Sequence, residues 1–256
     1  MPGSEAELQE NDIFAKKHGK SLSWAEDLGA TDAGPAGTLY LADLLNDATE
    51  QALLATAEHG SGPERAKTAK STDLTVLIVG DSYSTPFSPL YDAIDARLNA
   101  GGLDVDLVSK ARGGAALADG AKQLKAGLKG GVDAVLVLLG SNDGLDAGPI
   151  DAAERSLDKL LSKLDAKGIP TLVAGTYGQW PIQNAGYADA DDAQRFEAIF
   201  GRQAEKHGDI LFPGLLDGAY GVPGRTEDGE HPSEEGARII VDRMAGALDQ
   251  LISQAL

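Results

Sequence analysis

The 256-residue chain contains no cysteine, which removes disulfides, thiolate metal ligands and a cysteine nucleophile from consideration together. Positive charge is also scarce: 22 Lys and Arg against 40 Asp and Glu leave a formal net charge of −18. A surface of that sign repels nucleic-acid backbones and anionic membranes, so the expected partner is a neutral or cationic small molecule. No apolar run approaches the roughly 20 residues that a membrane-spanning helix needs. The opening stretch MPGSEAELQEND lacks both the basic segment and the apolar core of a secretory leader. The expectation is therefore a cytoplasmic protein, or a periplasmic or secreted one from which a leader has been removed. Aromatic residues are few, at 5%, yet 42% hydrophobic and 24% charged residues are ordinary proportions for a folded domain.

Two regions differ in pattern. In residues 1–73, Ser4 with Glu7 and Ser23 with Glu26 have capping-box spacing, which predicts short helices over 5–17 and 23–28. Leu41, Leu44, Leu45, Ala48 and Ala52 share one helical face within 38–58, and HGSGPERAKTAKSTD (59–73) reads as a polar linker. This region is too small to hold a core and is expected to be a helical extension. From Leu74 onward, strands predicted at 74–80, 104–109, 133–140, 169–175 and 209–213 alternate with helices near 89–100, 116–129, 150–167, 190–207 and 233–254. Such alternation implies right-handed crossovers and a parallel sheet covered on both faces. The expected fold is α/β, a three-layer α/β/α sandwich with a five-stranded flavodoxin-like sheet in a domain spanning 74–256.

The chemistry gathers where these strands end. LTVLIVGDSYS (74–84) is an apolar run that stops at Gly80-Asp81-Ser82 and delivers a hydroxyl to the rim of the sheet. The second strand ends in KARGG (110–114) and the third in GSND (140–143), offering flexible backbone amides and a carboxamide at the same rim. A serine is a weak nucleophile without a base. Of four histidines, His18, His59 and His207 each precede a glycine at a predicted helix end, where a structural role is expected. His231 instead lies in GRTEDGEHPSEEG, three residues after Asp228, a spacing that lets a carboxylate hold an imidazole Nδ1 proton. Asp81 is read as an acceptor for backbone N–H groups in a tight turn.

These blocks, GDS at 80–82, a glycine after the second strand, GSND at 140–143 and DGEH at 228–231, resemble the SGNH or GDSL hydrolase superfamily. The likeness is greatest to its bacterial esterase, thioesterase and lysophospholipase branch, and it extends from Leu74 almost to the C-terminus. The resemblance implies a serine esterase acting on small-to-medium acyl esters without metal or organic cofactor. It implies Ser82 as nucleophile, His231 as general base and then acid, and Asp228 as its orienting partner. The implied oxyanion hole is the Ser82 amide, the Gly114 amide and the Asn142 side chain. Two departures stand out: Tyr83 replaces a leucine, and the doublet Gly113-Gly114 leaves the choice of glycine open. The same triad also serves O-acyl transfer and carbohydrate O-deacetylation, which the motifs do not separate from hydrolysis. A noncatalytic flavodoxin-like or receiver module is the rival class, but its acidic pair and late lysine are not found. The G-x-S-x-G elbow of other hydrolases is absent, and HGKS (18–21) follows no strand and lacks the first glycine of a phosphate loop. Phe87, Tyr91, Tyr177 and Trp180 are candidates for the wall of the substrate pocket, with Tyr187 close by.

Overall fold

The run DLTVLIVG forms strand β1 (Asp73–Gly80) in the computed structural model, which describes residues 73–100, 102–176, 186–187 and 189–256. Val76, Leu77, Ile78 and Val79 are all fully buried, and a strand that is apolar on both faces must be covered on both. Strands β2 (Asp104–Ser109), β3 (Ala134–Leu138), β4 (Thr171–Ala174) and β5 (Ile210–Phe212) join it in the order β2-β1-β3-β4-β5. Every pairing is parallel. On the edge strand β2, Asp104 and Asp106 face outward while Val105 and Leu107 are buried, so charge blunts an edge that would otherwise template further pairing.

Among the described residues six helices cover or flank the sheet: α1 (Pro89–Asn99), α2 (Gly120–Gly127), α3 (Ser141–Leu145), α4 (Ile150–Asp165), α5 (Ala190–His207) and α6 (Glu234–Ala255). Leu77, Val79, Val135, Val137 and Val173 form one face of the core with Leu124 of α2, Leu157, Leu160, Leu161 and Leu164 of α4, and Phe196 and Phe200 of α5. The period of two turns Val76 and Ile78 to the opposite layer. There α1 and α6 pack on each other, burying Leu90, Ile94 and Leu98 against Ile240, Met244 and Leu248. Each fully buried Leu, Ile or Phe contributes about 1.5–3 kcal/mol relative to exposure, so these two layers clamp the sheet between them.

Helix boundaries follow local chemistry. Ser88 caps α1 by accepting the Tyr91 N–H at 3.2 Å, with Pro89 at the first helical position. Asp189 and Ser233 cap α5 and α6 in the same way, and Gly208 closes α5. His207, the last residue of α5, is held between Asp158 at 2.7 Å and Asp165, the structural role expected of it. Burial lowers its pKa, but the two carboxylates outweigh that and hold the imidazole above its ordinary value.

Strand and helix spans agree with the sequence expectations to within two or three residues, with two differences. The segment 116–129 is broken into a 3-10 turn (Leu117–Asp119), α2, and a second 3-10 turn (Leu128–Gly130). The short α3 has no counterpart in the sequence pattern, because five residues are too few to show a helical period. The helices anticipated within residues 1–73 lie outside the described residues, as do His18 and His59.

Candidate active site

The chain passes from β1 to β2 on one side and returns to β3 on the other. The crevice beyond the carboxyl ends of β1 and β3 is thus the topological switch point, where open α/β sheets bind ligands. β1 ends there at Gly80, whose environment leaves no space for a side chain: a Cβ would lie 2.0 Å from Ser84 Oγ and 3.2 Å from the Leu138 carbonyl oxygen. Its backbone is held by one buried side chain. The Gly80 N–H donates to Gln123 Oε1 at 2.8 Å, and Gln123 Nε2 donates back to the Gly80 carbonyl at 2.9 Å.

Asp81 then caps a 3-10 turn, Ser82–Ser84. One carboxylate oxygen accepts the Tyr83 N–H at 3.1 Å and the other accepts the Ser141 hydroxyl at 2.5 Å. The ends of β1 and β3 are thereby fixed to each other, with Ser82 and Asn142 each one residue beyond a tethered atom. Asp81 is 1% exposed. Burial pushes its carboxyl up from 3.8 to about 6, against the pull of the bonds from Ser141 and Tyr83.

The loop after β2 is anchored to α3 in turn. Asn142 Nδ2 donates to the Ala115 carbonyl at 2.9 Å, and Asp143 Oδ2 accepts the Leu117 N–H at 2.8 Å. A carboxamide carries two N–H donors, and the Ala115 bond engages one of those on Asn142. Within the loop, Ala115 N–H donates to Arg112 C=O at 3.1 Å around Gly113 and Gly114. Gly114 has φ +71, a backbone region that favours glycine; Gly113 does not require it. The special residue of the doublet is Gly114, and among the described residues no acceptor takes its N–H or that of Ser82.

The third contribution comes from the loop before α6. Asp228 Oδ1 accepts the N–H groups of Glu230 at 3.0 Å and His231 at 2.8 Å, while Oδ2 lies 2.9 Å from His231 Nδ1. A carboxylate at Nδ1 selects the tautomer that carries its proton there and leaves Nε2 free to accept. Burial pushes Asp228 upward, but the donors from His231 and Glu230 prevail and hold it below the usual carboxylate range. The loop is closed on itself by the Glu227 N–H donating to His231 C=O at 2.8 Å and by Ser233 Oγ donating to Gly224 C=O at 2.8 Å. Tyr83, only 3% exposed, sets its ring at 5.3 Å from the His231 ring in an edge-on arrangement.

Ser82 and His231 line one cleft of about 690 Å³, together with Tyr83, Phe87, Asp92, Glu227, Pro232 and Glu234. Gly114 and Asn142 are outside its lining. Of the aromatic wall residues anticipated from sequence, Phe87 lines the cleft. Tyr91 does not: its hydroxyl donates to the Leu107 carbonyl at 2.7 Å and ties α1 to β2. Tyr187 likewise packs, against Phe196 at 5.6 Å, with its hydroxyl on Gly148 C=O at 2.9 Å. Tyr177 and Trp180 lie outside the described residues. Sequence reasoning missed Gln123, Ser141 and the ring contact of Tyr83. The first two act across 43 and 60 residues of chain, and no local pattern marks them.

The chain belongs to the GDSL-like Lipase/Acylhydrolase family, whose model matches residues 78–239. It is an ester hydrolase of the SGNH fold. Among solved structures, TesA is 26% identical with a TM-score of 0.61, covering 69% of this chain and 99% of its own. The psychrotrophic esterase EstA from Pseudoalteromonas sp., in a structure inhibited by monoethylphosphonate, is 22% identical with a TM-score of 0.57, covering 70% of this chain and 98% of its own. A lipase/acylhydrolase from Enterococcus faecalis is 15% identical with a TM-score of 0.56, covering 69% and 96% respectively. No curated protein matches the chain. Among the described residues no helix is long and apolar enough to cross a membrane.

Proposed function

We propose that the protein hydrolyses small-to-medium acyl esters through an acyl-enzyme on Ser82. The observation that carries this is the Asp228–His231 pair, bonded through Nδ1, opening onto the cleft that Ser82 also lines. His231 Nε2 takes the Ser82 proton as Oγ attacks the acyl carbon. Negative charge then develops on the carbonyl oxygen, where the amides of Ser82 and Gly114 and the remaining N–H of Asn142 meet it. Donors already fixed by the Ala115 and Arg112 bonds need no reorganisation as the charge appears, which is what makes such sites effective. Collapse expels the alcohol, protonated by His231. Water, deprotonated by the same imidazole, then releases the acid and restores Ser82.

The test is hydrolysis of a p-nitrophenyl ester series by the wild type and by Ser82→Ala in matched folded preparations. A serine mechanism predicts activity in the first and a loss of at least about 10³ in kcat in the second. Equal activity in both removes Ser82 from the reaction.

A further inference from the structure

The chemistry of the cleft wall is uneven. Asp92, Glu227 and Glu234 line it, no Lys or Arg does, and none of the three carboxylates has an ion-pair partner among the described residues. The overall acidity of the chain does not account for this pattern. On the other side of Pro86, which touches both surfaces, a groove of about 340 Å³ is lined by Lys110, Arg112 and Lys122 and by no carboxylate. The two linings differ in sign: the acidic one holds Ser82 and His231, and on the basic one Arg112 is paired with Asp119 at 3.4 Å.

The second observation is Phe87. Its side chain is 89% exposed, the most of any large apolar residue among those described, and its backbone sits at φ +70. A phenylalanine is ill suited to both conditions. Its place on the wall of the cleft gives the ring a ligand to cover. An aromatic face beside unpaired carboxylates recognises an alkylated cation, whose charge is met by the carboxylates and whose methyl or methylene groups are met by the ring.

We infer that the cleft selects esters carrying a positive charge, a quaternary ammonium or protonated amine, met by Asp92, Glu227, Glu234 and Phe87. The inference rests on the esterase reading of Ser82 and His231, and it names the substrate class of that site. The charge lies on the non-reacting part of the substrate, so hydrolysis breaks the same acyl–oxygen or acyl–sulfur bond, takes up one water and needs no further reactant.

The experiment compares an acyl thiocholine with its uncharged isostere, in which the quaternary nitrogen is a quaternary carbon, as acetyl and butyryl pairs. Released thiol is read with a disulfide reagent, and a chain without cysteine adds no background. The expected result is a kcat/KM at least about tenfold higher for the cation at low ionic strength, as for an electrostatically focused cleft. At ~0.5 M salt the ratio should shrink to within about threefold, because the screening length falls to a few ångströms. In the double variant Asp92→Asn with Glu234→Gln the low-salt ratio should fall toward one. Because the wild-type salt series carries the same information, poor folding of the variant leaves the inference testable. Hydrolysis of p-nitrophenyl esters is run in parallel. If these are turned over while the wild-type cation-to-neutral ratio is near one or insensitive to salt, the charge selectivity is wrong and the esterase reading stands. If no ester of any kind is turned over by folded protein, both fall.

Discussion

Replacing Asp81 with asparagine isolates the electrostatic cost of the group that joins the ends of β1 and β3. The carboxyl is fully buried, and burial pushes its pKa to about 6 against an ordinary 3.8. A folded-state value above the unfolded one means that the native protein holds this proton more tightly. The stability it contributes is complete below the unfolded pKa and is lost as pH rises through about 6. In full, that displacement corresponds to about 3 kcal/mol, of which about 2 kcal/mol is lost between about pH 4.5 and about pH 8. The carboxamide of the variant preserves the shape: its oxygen accepts the Tyr83 N–H, and its amide donates to Ser141 Oγ, which can turn to accept. Urea denaturation of wild type and Asp81→Asn across this range should therefore show the variant gaining on the wild type by about 2 kcal/mol as pH rises. Parallel stability profiles for the two proteins would show that the carboxylate is not held at a desolvation cost, and the electrostatic argument for this link would be wrong.

Other substitutions test neighbouring parts of the site. Gln123→Leu leaves the buried Gly80 N–H without its acceptor and should cost about 2 kcal/mol in denaturant unfolding, with a loss of activity as the Ser82 turn loosens. Asn142→Ala should lower kcat by about 10²–10³ with a smaller change in KM, the pattern of a donor that acts in the transition state. Gly114→Ala meets no atom within 4 Å of the added Cβ, so the chain should fold, at a cost of about 1 kcal/mol for the positive φ. Its esterase activity should drop far more than its thermal midpoint, whereas Gly113→Ala should preserve both.

The parts of this molecule that are legible in its sequence are those written locally. The apolar runs within 74–80 and 133–140 mark buried parallel strands because both faces are covered, and their alternation with helical patterns implies the layer order. Asp228 meets His231 three residues on, and Asp81 caps the turn through the Tyr83 N–H two residues on, so these motifs carry that part of the geometry themselves. What is not legible depends on contacts made by the folded sheet. Gln123 reads as an unremarked polar residue of an amphipathic helix until the 43-residue crossover sets it beside Gly80. Tyr91 stands four residues from Phe87 and reads as a pocket residue with it, but the turn of α1 directs its hydroxyl to the β2 carbonyl of Leu107. That Gly114 rather than Gly113 takes a positive φ is a property of the folded loop, which no spacing supplies.

The most direct test of the central claim is to treat the protein with a reactive alkylphosphonate ester, map the adduct by peptide mass spectrometry, and follow esterase activity in the same samples. A serine nucleophile activated by His231 predicts one adduct per chain, on the peptide bearing Ser82, forming in step with the loss of activity and absent from Ser82→Ala. Full inactivation with the adduct on another residue, or undiminished turnover of esters by a protein fully labelled at Ser82, would contradict it.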